Sequence, residues 1–163
     1  MASGKTAVGK ALAKKLRQRL VCTDNLIVKR AKISIPSIFA RYGEARFRSY
    51  ETNALISLKK KKNIVVATGG GIIVKPGNKR LLKKLGQVVL LKVAPTTVLK
   101  RVKHIGHRPL LNIKKDNERL KEIKRLMKAR RTKYLRAADI SIDTDKLNVR
   151  QVVNKICQKL GLI

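Results

Sequence analysis

Apolar residues recur at three- and four-residue spacing from Thr6 to Leu20, at Val8, Ala11, Leu12, Leu16 and Leu20. That spacing lines one face of a 3.6-residue turn and predicts an amphipathic helix. Two short apolar runs follow a different rule. Leu20-Val21-Cys22 leads into Thr23 and Asp24, and Ile64-Val65-Val66-Ala67 leads into Thr68-Gly69-Gly70-Gly71. Both have the length and unbroken apolar character of buried parallel strands that end in functional loops. Val88 to Val93, closed by Pro95, predicts a third strand, and Ile140-Ser141-Ile142 a weaker fourth with alternating character. Helical spacing returns at Leu120, Ile123, Leu126 and Met127 within residues 116–135, and Asn148 predicts the cap of a last helix with Val149, Val152, Val153, Ile156 and Leu160 on one face. Strands alternating with helices place the chain in the α/β class. Residues 103–115, with Gly106, Pro109 and many cations, show no period and read as a mobile basic loop over a phosphate site. Lys59 to Lys62 read as a solvated helix end, and no internal repeat is present.

Length and composition narrow the class. With 163 residues the chain fits one domain, and such a domain buries about two-thirds of its unfolded surface. It contains neither a run of about 18 apolar residues nor a basic-then-apolar start, so the expectation is a soluble, cytoplasmic protein with no membrane association. Cys22 and Cys157 lack metal-ligand spacing and are expected as free thiols.

Charge adds one clue by its excess and another by its exceptions. Lys and Arg number 41 against 9 Asp and Glu, a formal net charge of +32. Such a field attracts polyanions nonspecifically. The aromatic residues Phe39, Tyr42, Phe47, Tyr50 and Tyr134 are not interleaved with cations as a base-stacking surface requires, so no specific nucleic-acid partner is expected. Before residue 116 the only acids are Asp24, Glu44 and Glu51. Asp24, just past a strand, is expected to be functional; Glu44 and Glu51 are expected to pair with neighbouring Arg.

Gly4, Lys5 and Thr6 stand immediately before the first helix, where they read as the end of a phosphate-binding loop, G-x-x-x-x-G-K-[ST]. Downstream come Thr23-Asp24, then Gly43-Glu44-Ala45-Arg46-Phe47-Arg48-Ser49-Tyr50-Glu51, then Gly69-Gly70-Gly71, then Arg108-Pro109-Leu110-Leu111. In this order and spacing the set closely resembles the shikimate kinase family, over essentially the whole chain. The resemblance implies a P-loop kinase-like three-layer α/β/α fold with a parallel sheet of order 2-3-1-4-5. It also implies a single domain over 1–163, with 24–53 as substrate-binding segment and 103–115 as a basic lid.

The activity so implied is transfer of the γ-phosphoryl of ATP to the 3-hydroxyl of shikimate, with Mg²⁺ as cofactor and a monomer as the working unit. Ala2, Ser3, Gly4, Lys5, Thr6, Ala7 and the lid Arg108 would bind ATP, and Thr6 would bind the Mg²⁺. Asp24 would bind a substrate hydroxyl and take its proton; Lys5 and Arg108 complete the catalytic set. Arg48 and Arg130 would clamp the substrate carboxylate, since a guanidinium fork matches two oxygens, and Glu51 could hold Arg48 in place. Gly69, Gly70 and Gly71 would let substrate approach unshielded backbone N–H groups.

Three departures from the family pattern bear on activity. Ala2 stands at the loop's middle Gly, where a positive φ would strain it. Cys22-Thr23-Asp24 replaces D-[ST]-D, removing the Asp that supports Mg²⁺. The first strand, central in the family sheet, is absent, and an incomplete N-terminus is the expected explanation. Two alternatives stay open on these residues: another small-molecule kinase of this fold, such as a gluconate kinase, and a catalytically impaired remnant that binds anions or nucleic acid by charge.

Overall fold

The structure, a computed structural model, describes residues 2–103 and 115–162. The chain alternates α1 (Lys5–Lys15), β1 (Arg19–Cys22), α2 (Thr23–Ala31), α3 (Ile35–Ile56), β2 (Ile64–Ala67), α4 (Asn78–Leu85), β3 (Val89–Lys92), α5 (Pro95–Lys103), α6 (Asp116–Ala137), β4 (Ile140–Asp143) and α7 (Val149–Leu160). The α/β class holds. The proposed lid, and with it Arg108, falls largely outside the described residues.

β1 pairs with β2 and β3 with β4, both parallel, as two separate two-stranded sheets. These are the neighbours that the order 2-3-1-4-5 leaves when its first strand is taken away. Val65 of β2 and Val89 and Leu91 of β3 pack against one core cluster, formed by Val8 and Leu12 of α1, Ile142 of β4, and Val152, Val153, Ile156 and Cys157 of α7. So α1 and α7 bridge the two pairs. The sequence pattern suggested fully buried strands, but β1, β2 and β3 are mostly half-buried. Among the described residues each strand has a neighbour on one side only.

Two element boundaries differ from expectation for local reasons. The first helix stops at Lys15, capped at Leu16, and Arg17 turns into the left-handed region at φ 52°, which frees Leu20 for the strand. Thr23 and Asp24 are not in a loop; they form the first turn of α2, with Cys22 at its N-cap. α3 begins with Ser34 capping the amide of Ser37 and contains a break at Gly43, φ 73° and ψ 175°, a backbone open mainly to glycine. The break re-aims the helix at the first residue of the G-E-x-x-F-R-x-x-E segment. The Asn148 cap is confirmed as a reciprocal capping box with Gln151.

Close packing of α1 depends on Gly9. A methyl group there would stand 3.1 Å from Leu20 Cδ1 and 3.6 Å from Ala67 Cβ, so a bulkier residue would lift α1 away from β1 and β2. The start of α1 is fixed from another side. Ala2 packs with Val98 of α5 and Ile123 and Leu126 of α6, and its carbonyl accepts from Arg101 Nη1 at 3.1 Å.

Candidate active site

Three carboxylates, two guanidiniums and a glycine turn converge where α2, α3 and α6 meet the end of β2. Arg48 lies on the buried face of α3, 7 % exposed, and donates from Nη1 to Glu51 Oε2 at 2.7 Å and from Nη2 to Glu44 Oε1 at 2.6 Å. The spacing explains the pairing: Glu44 and Glu51 stand four residues before and three after Arg48, on the same face of one helix. Burial alone would pull the Arg48 pKa down, but the bonds it donates to Glu51 and Glu44 outweigh it and hold the pKa above its ordinary value.

Glu51 is 1 % exposed, and its pKa is raised. Burial is the main cause, partly opposed by Arg48 and Arg130 and reinforced by Asp24. Its Oε2 holds Arg48, whereas Oε1 has no hydrogen-bond partner among the described residues. Arg130, on α6 and 8 % exposed, is thereby placed in the field of the same carboxylate. All three acids that precede residue 116 therefore belong to one cluster, as do Arg48 and Arg130. The pairings expected for Glu44 and Glu51 are both found.

The glycines serve this cluster more directly than sequence reasoning suggested. A methyl group on Gly69 would lie 2.6 Å from Asp24 Oδ1 and 3.2 Å from Glu51 Oε1, and one on Gly71 would overlap the Arg48 guanidinium. Here the missing Cβ makes room for the site's own charged side chains. The turn is anchored at four points. The Gly69 amide donates to Thr23 Oγ1 at 3.0 Å, the Tyr134 hydroxyl to the Gly70 carbonyl, Asn78 Nδ2 to the Ile72 carbonyl at 2.7 Å, and Lys133 Nζ to the Val74 carbonyl at 3.3 Å. Thr52 Oγ1 bonds Asn78 Oδ1 at 2.9 Å and ties that anchor back to α3. Sequence reasoning missed Asn78 and Thr52. An Asn beside a glycine at a helix start reads as a cap, and nothing in its spacing announces a fully buried anchor.

At the phosphate side, Gly4 caps α1 at φ 82° and ψ 14°, a left-handed conformation that aims successive amides outward. Lys5 and Thr6 open the helix, with the Thr6 and Ala7 side exposed and Ser3 buried. The positive end of the α1 dipole adds to the Lys5 charge there. Ala2 takes the strained conformation expected of it, φ 43°.

The donor set suits a hard cation only in part. Thr6 offers one hydroxyl at the helix start. Cys22 is half-buried, and its thiol pKa is raised by burial and then by Asp24, so it remains a neutral, soft group. Among the described residues no three His, Cys, Asp or Glu side chains gather as a metal cage. These residues would leave a hard cation to be held chiefly by nucleotide phosphates and water, with the Thr6 hydroxyl the one protein oxygen offered at the helix start.

A helix N-terminus with Gly-Lys-Thr and a buried guanidinium–carboxylate cluster, both on a frame of parallel strand pairs, are the features of an α/β phosphotransferase. The family model for shikimate kinase matches residues 1–161. The chain is 46% identical over 156 residues to the shikimate kinase of Geobacter sulfurreducens, covering 96% of this chain and 84% of that one. It is 40% identical to that of Caldicellulosiruptor saccharolyticus, covering 96% and 88%. In three dimensions it superposes on the shikimate kinase of Acinetobacter baumannii in complex with shikimate, with TM-score 0.93, 34% identity, and 99% and 89% of the chains covered. It also superposes on the enzyme from Bacteroides thetaiotaomicron, with TM-score 0.91, 29% identity, and 99% and 94% covered. The chain belongs to the shikimate kinase family and is an ATP-dependent kinase of shikimate. The likeness to a gluconokinase from Sinorhizobium meliloti, TM-score 0.52 at 12% identity, reflects the shared fold alone.

Proposed function

We propose that Asp24, Arg48, Arg130 and the Gly69–Gly71 turn bind shikimate, and that Lys5 and Thr6 bind ATP, for transfer of the γ-phosphoryl to the 3-hydroxyl. One observation carries this assignment: the Arg48 guanidinium is buried against Gly71 while Asp24 and Glu51 flank Gly69, so a carboxylate-binding group and a proton acceptor share one turn. Arg48 and Arg130 take the carboxylate of the substrate. With the acid end fixed, Asp24 orients the reacting hydroxyl and accepts its proton as that oxygen bonds to the γ-phosphorus. The bond from the γ-phosphorus to the β,γ-bridging oxygen breaks, and ADP carries the electron pair away. Positioning of this kind supplies most of what phosphoryl transfer asks of a protein.

Lys5 and the α1 amides offset phosphate charge. Thr6 would help hold Mg²⁺ bound with ATP, and the ion would supply neutralisation of phosphate charge. The lid role of Arg108 belongs to the same reading, as does a cytoplasmic monomer. The test is an ADP-release assay of the full chain with shikimate and gluconate over a salt series. Saturable, salt-tolerant turnover of shikimate is expected. Turnover of gluconate alone, or anion binding that collapses with salt and brings no turnover, would overturn the reading.

A further inference from the structure

The peptide between Gly70 and Gly71 is held by its carbonyl. In a trans peptide the C=O of one residue and the N–H of the next lie in one plane and point in opposite directions; there is no cis peptide among the described residues. Fixing the Gly70 oxygen therefore aims the Gly71 N–H, and the group that fixes it is the Tyr134 hydroxyl. Gly71 lies against the Arg48 guanidinium. Neighbouring amides are already committed: Gly69 to Thr23 Oγ1, Ile72 to the Gly69 carbonyl at 3.3 Å and Val74 to the Gly71 carbonyl at 2.9 Å. The other anchors, Asn78 and Lys133, hold carbonyls further along, at Ile72 and Val74. Tyr134 follows Arg130 by one helical turn, so the two side chains leave the same face of α6.

We infer that Tyr134 is a positioning residue for the acidic end of the substrate: its hydroxyl sets the tilt of the Gly70–Gly71 peptide so that the Gly71 N–H joins Arg48 and Arg130 around the carboxylate. This rests on the substrate assignment above. Tyr134 needs no contact with the substrate to do so. One helix then delivers both a guanidinium and the alignment of a backbone donor to neighbouring points of one site.

Tyr134→Phe keeps the ring and removes only the hydroxyl. Steady-state kinetics are measured on parent and variant with shikimate and with an analogue carrying a hydroxymethyl group in place of the carboxylate. The ¹⁵N–¹H signal of Gly71 is followed in a shikimate titration. The variant should show a shikimate KM about 3–10-fold higher, kcat and the KM for ATP within about twofold of the parent, a smaller Gly71 shift, and no penalty with the analogue. A purely structural tyrosine would penalise both substrates alike, and that result overturns the inference. So does a Gly71 shift in Tyr134→Phe equal to that of the parent. Should the parent itself neither turn over shikimate nor show any shift at Gly71, the substrate assignment falls together with the inference.

Discussion

Arg48 and Glu51 are locked together across one turn of α3, Nη1 to Oε2 at 2.7 Å, and both are withdrawn from water. A buried pair of this kind costs desolvation on both partners, so breaking it by removing one charge is more damaging than never having had it. Two distinct losses are expected of Arg48→Ala. The uncompensated Glu51 should lower stability by about 3–5 kcal/mol, and the lost carboxylate clamp should cost about 2–5 kcal/mol in kcat/KM. Arg48→Lys should recover part of each, because one ammonium replaces a fork. Thermal melts and shikimate kinetics on both variants measure the two losses separately. An unchanged kcat/KM in Arg48→Ala would remove Arg48 from the substrate site.

Glu51 also fixes a pH dependence. Its folded-state pKa is raised, chiefly by burial, above the ordinary 4.5. A raised carboxyl binds its proton more tightly when folded, so its contribution to stability is present below the unfolded value and is lost as pH rises through the folded one. Glu51→Gln lacks that loss. The melting temperature of the parent should therefore fall relative to Glu51→Gln as pH rises from about 4.5 towards neutrality. Parallel curves for the two proteins over that window would show that Glu51 does not titrate within it.

The glycines divide into those that make room and those that do not. Gly71→Ala should drive the Arg48 side chain out of its bonds to Glu44 and Glu51 and raise the shikimate KM at least tenfold, a cost of about 1.4 kcal/mol or more. Gly77 has φ −66° and ψ −21°, and a methyl group there meets nothing within 4 Å. Gly77→Ala should leave kinetics unchanged and stabilise the fold by about 0.4–1 kcal/mol through the unfolded chain. Melts and KM values of the pair check this; equal effects at both positions would contradict the crowding argument.

Cys22 occupies the N-cap of α2 without a capping side-chain bond. Cys22→Asp would place a carboxylate where it can accept from the α2 amides and stand near the phosphate-bound Mg²⁺. Two changes are expected, a stability gain of about 1 kcal/mol and a lower Mg²⁺ concentration for half-maximal activity. A magnesium titration that superimposes on that of the parent would show that the missing carboxylate was not limiting, whatever the melt shows.

The grouping of the candidate site was legible because it resides in residue types at fixed spacing. Gly4-Lys5-Thr6, Asp24, Arg48 and the triple glycine each announce a role that few other residues fill, and the structure gathers Asp24, Arg48, Arg130 and the turn as expected. What stayed hidden depends on individual side-chain reaches, near or far in the chain, that no spacing rule announces. Asn78 reaches Ile72 from the buried start of α4, and Tyr134 reaches Gly70 across 64 residues. Neither leaves a periodic trace. The half-burial of β2 and β3 was hidden for a related reason: an unbroken apolar run reports a strand, while its exposure is set by which neighbours are present.

That exposure leads to a last expectation. β2 and β3 press Val65, Val89 and Leu91 against one core cluster, yet each pairs only outward, to β1 and β4. Their facing-side N–H and C=O groups therefore lack ladder partners among the described residues, and each buried unpaired group costs about 1–3 kcal/mol. A parallel strand joining β2 and β3 would satisfy both edges and would run its C-terminal end towards Gly4. About ten residues suffice, five or six apolar ones for the strand and a glycine-containing turn. Returning Ala2 from φ 43° to a glycine should remove a further penalty of about 1–2 kcal/mol. The extended Ala2→Gly protein should thus gain melting temperature and ATP affinity together, because the two changes jointly complete the core and align the phosphate loop. Calorimetry and nucleotide titration on the two proteins decide the matter. If the present chain already melts cooperatively at an ordinary mesophilic temperature and binds ATP in the micromolar range, the two strand pairs are sufficient and the expectation is wrong.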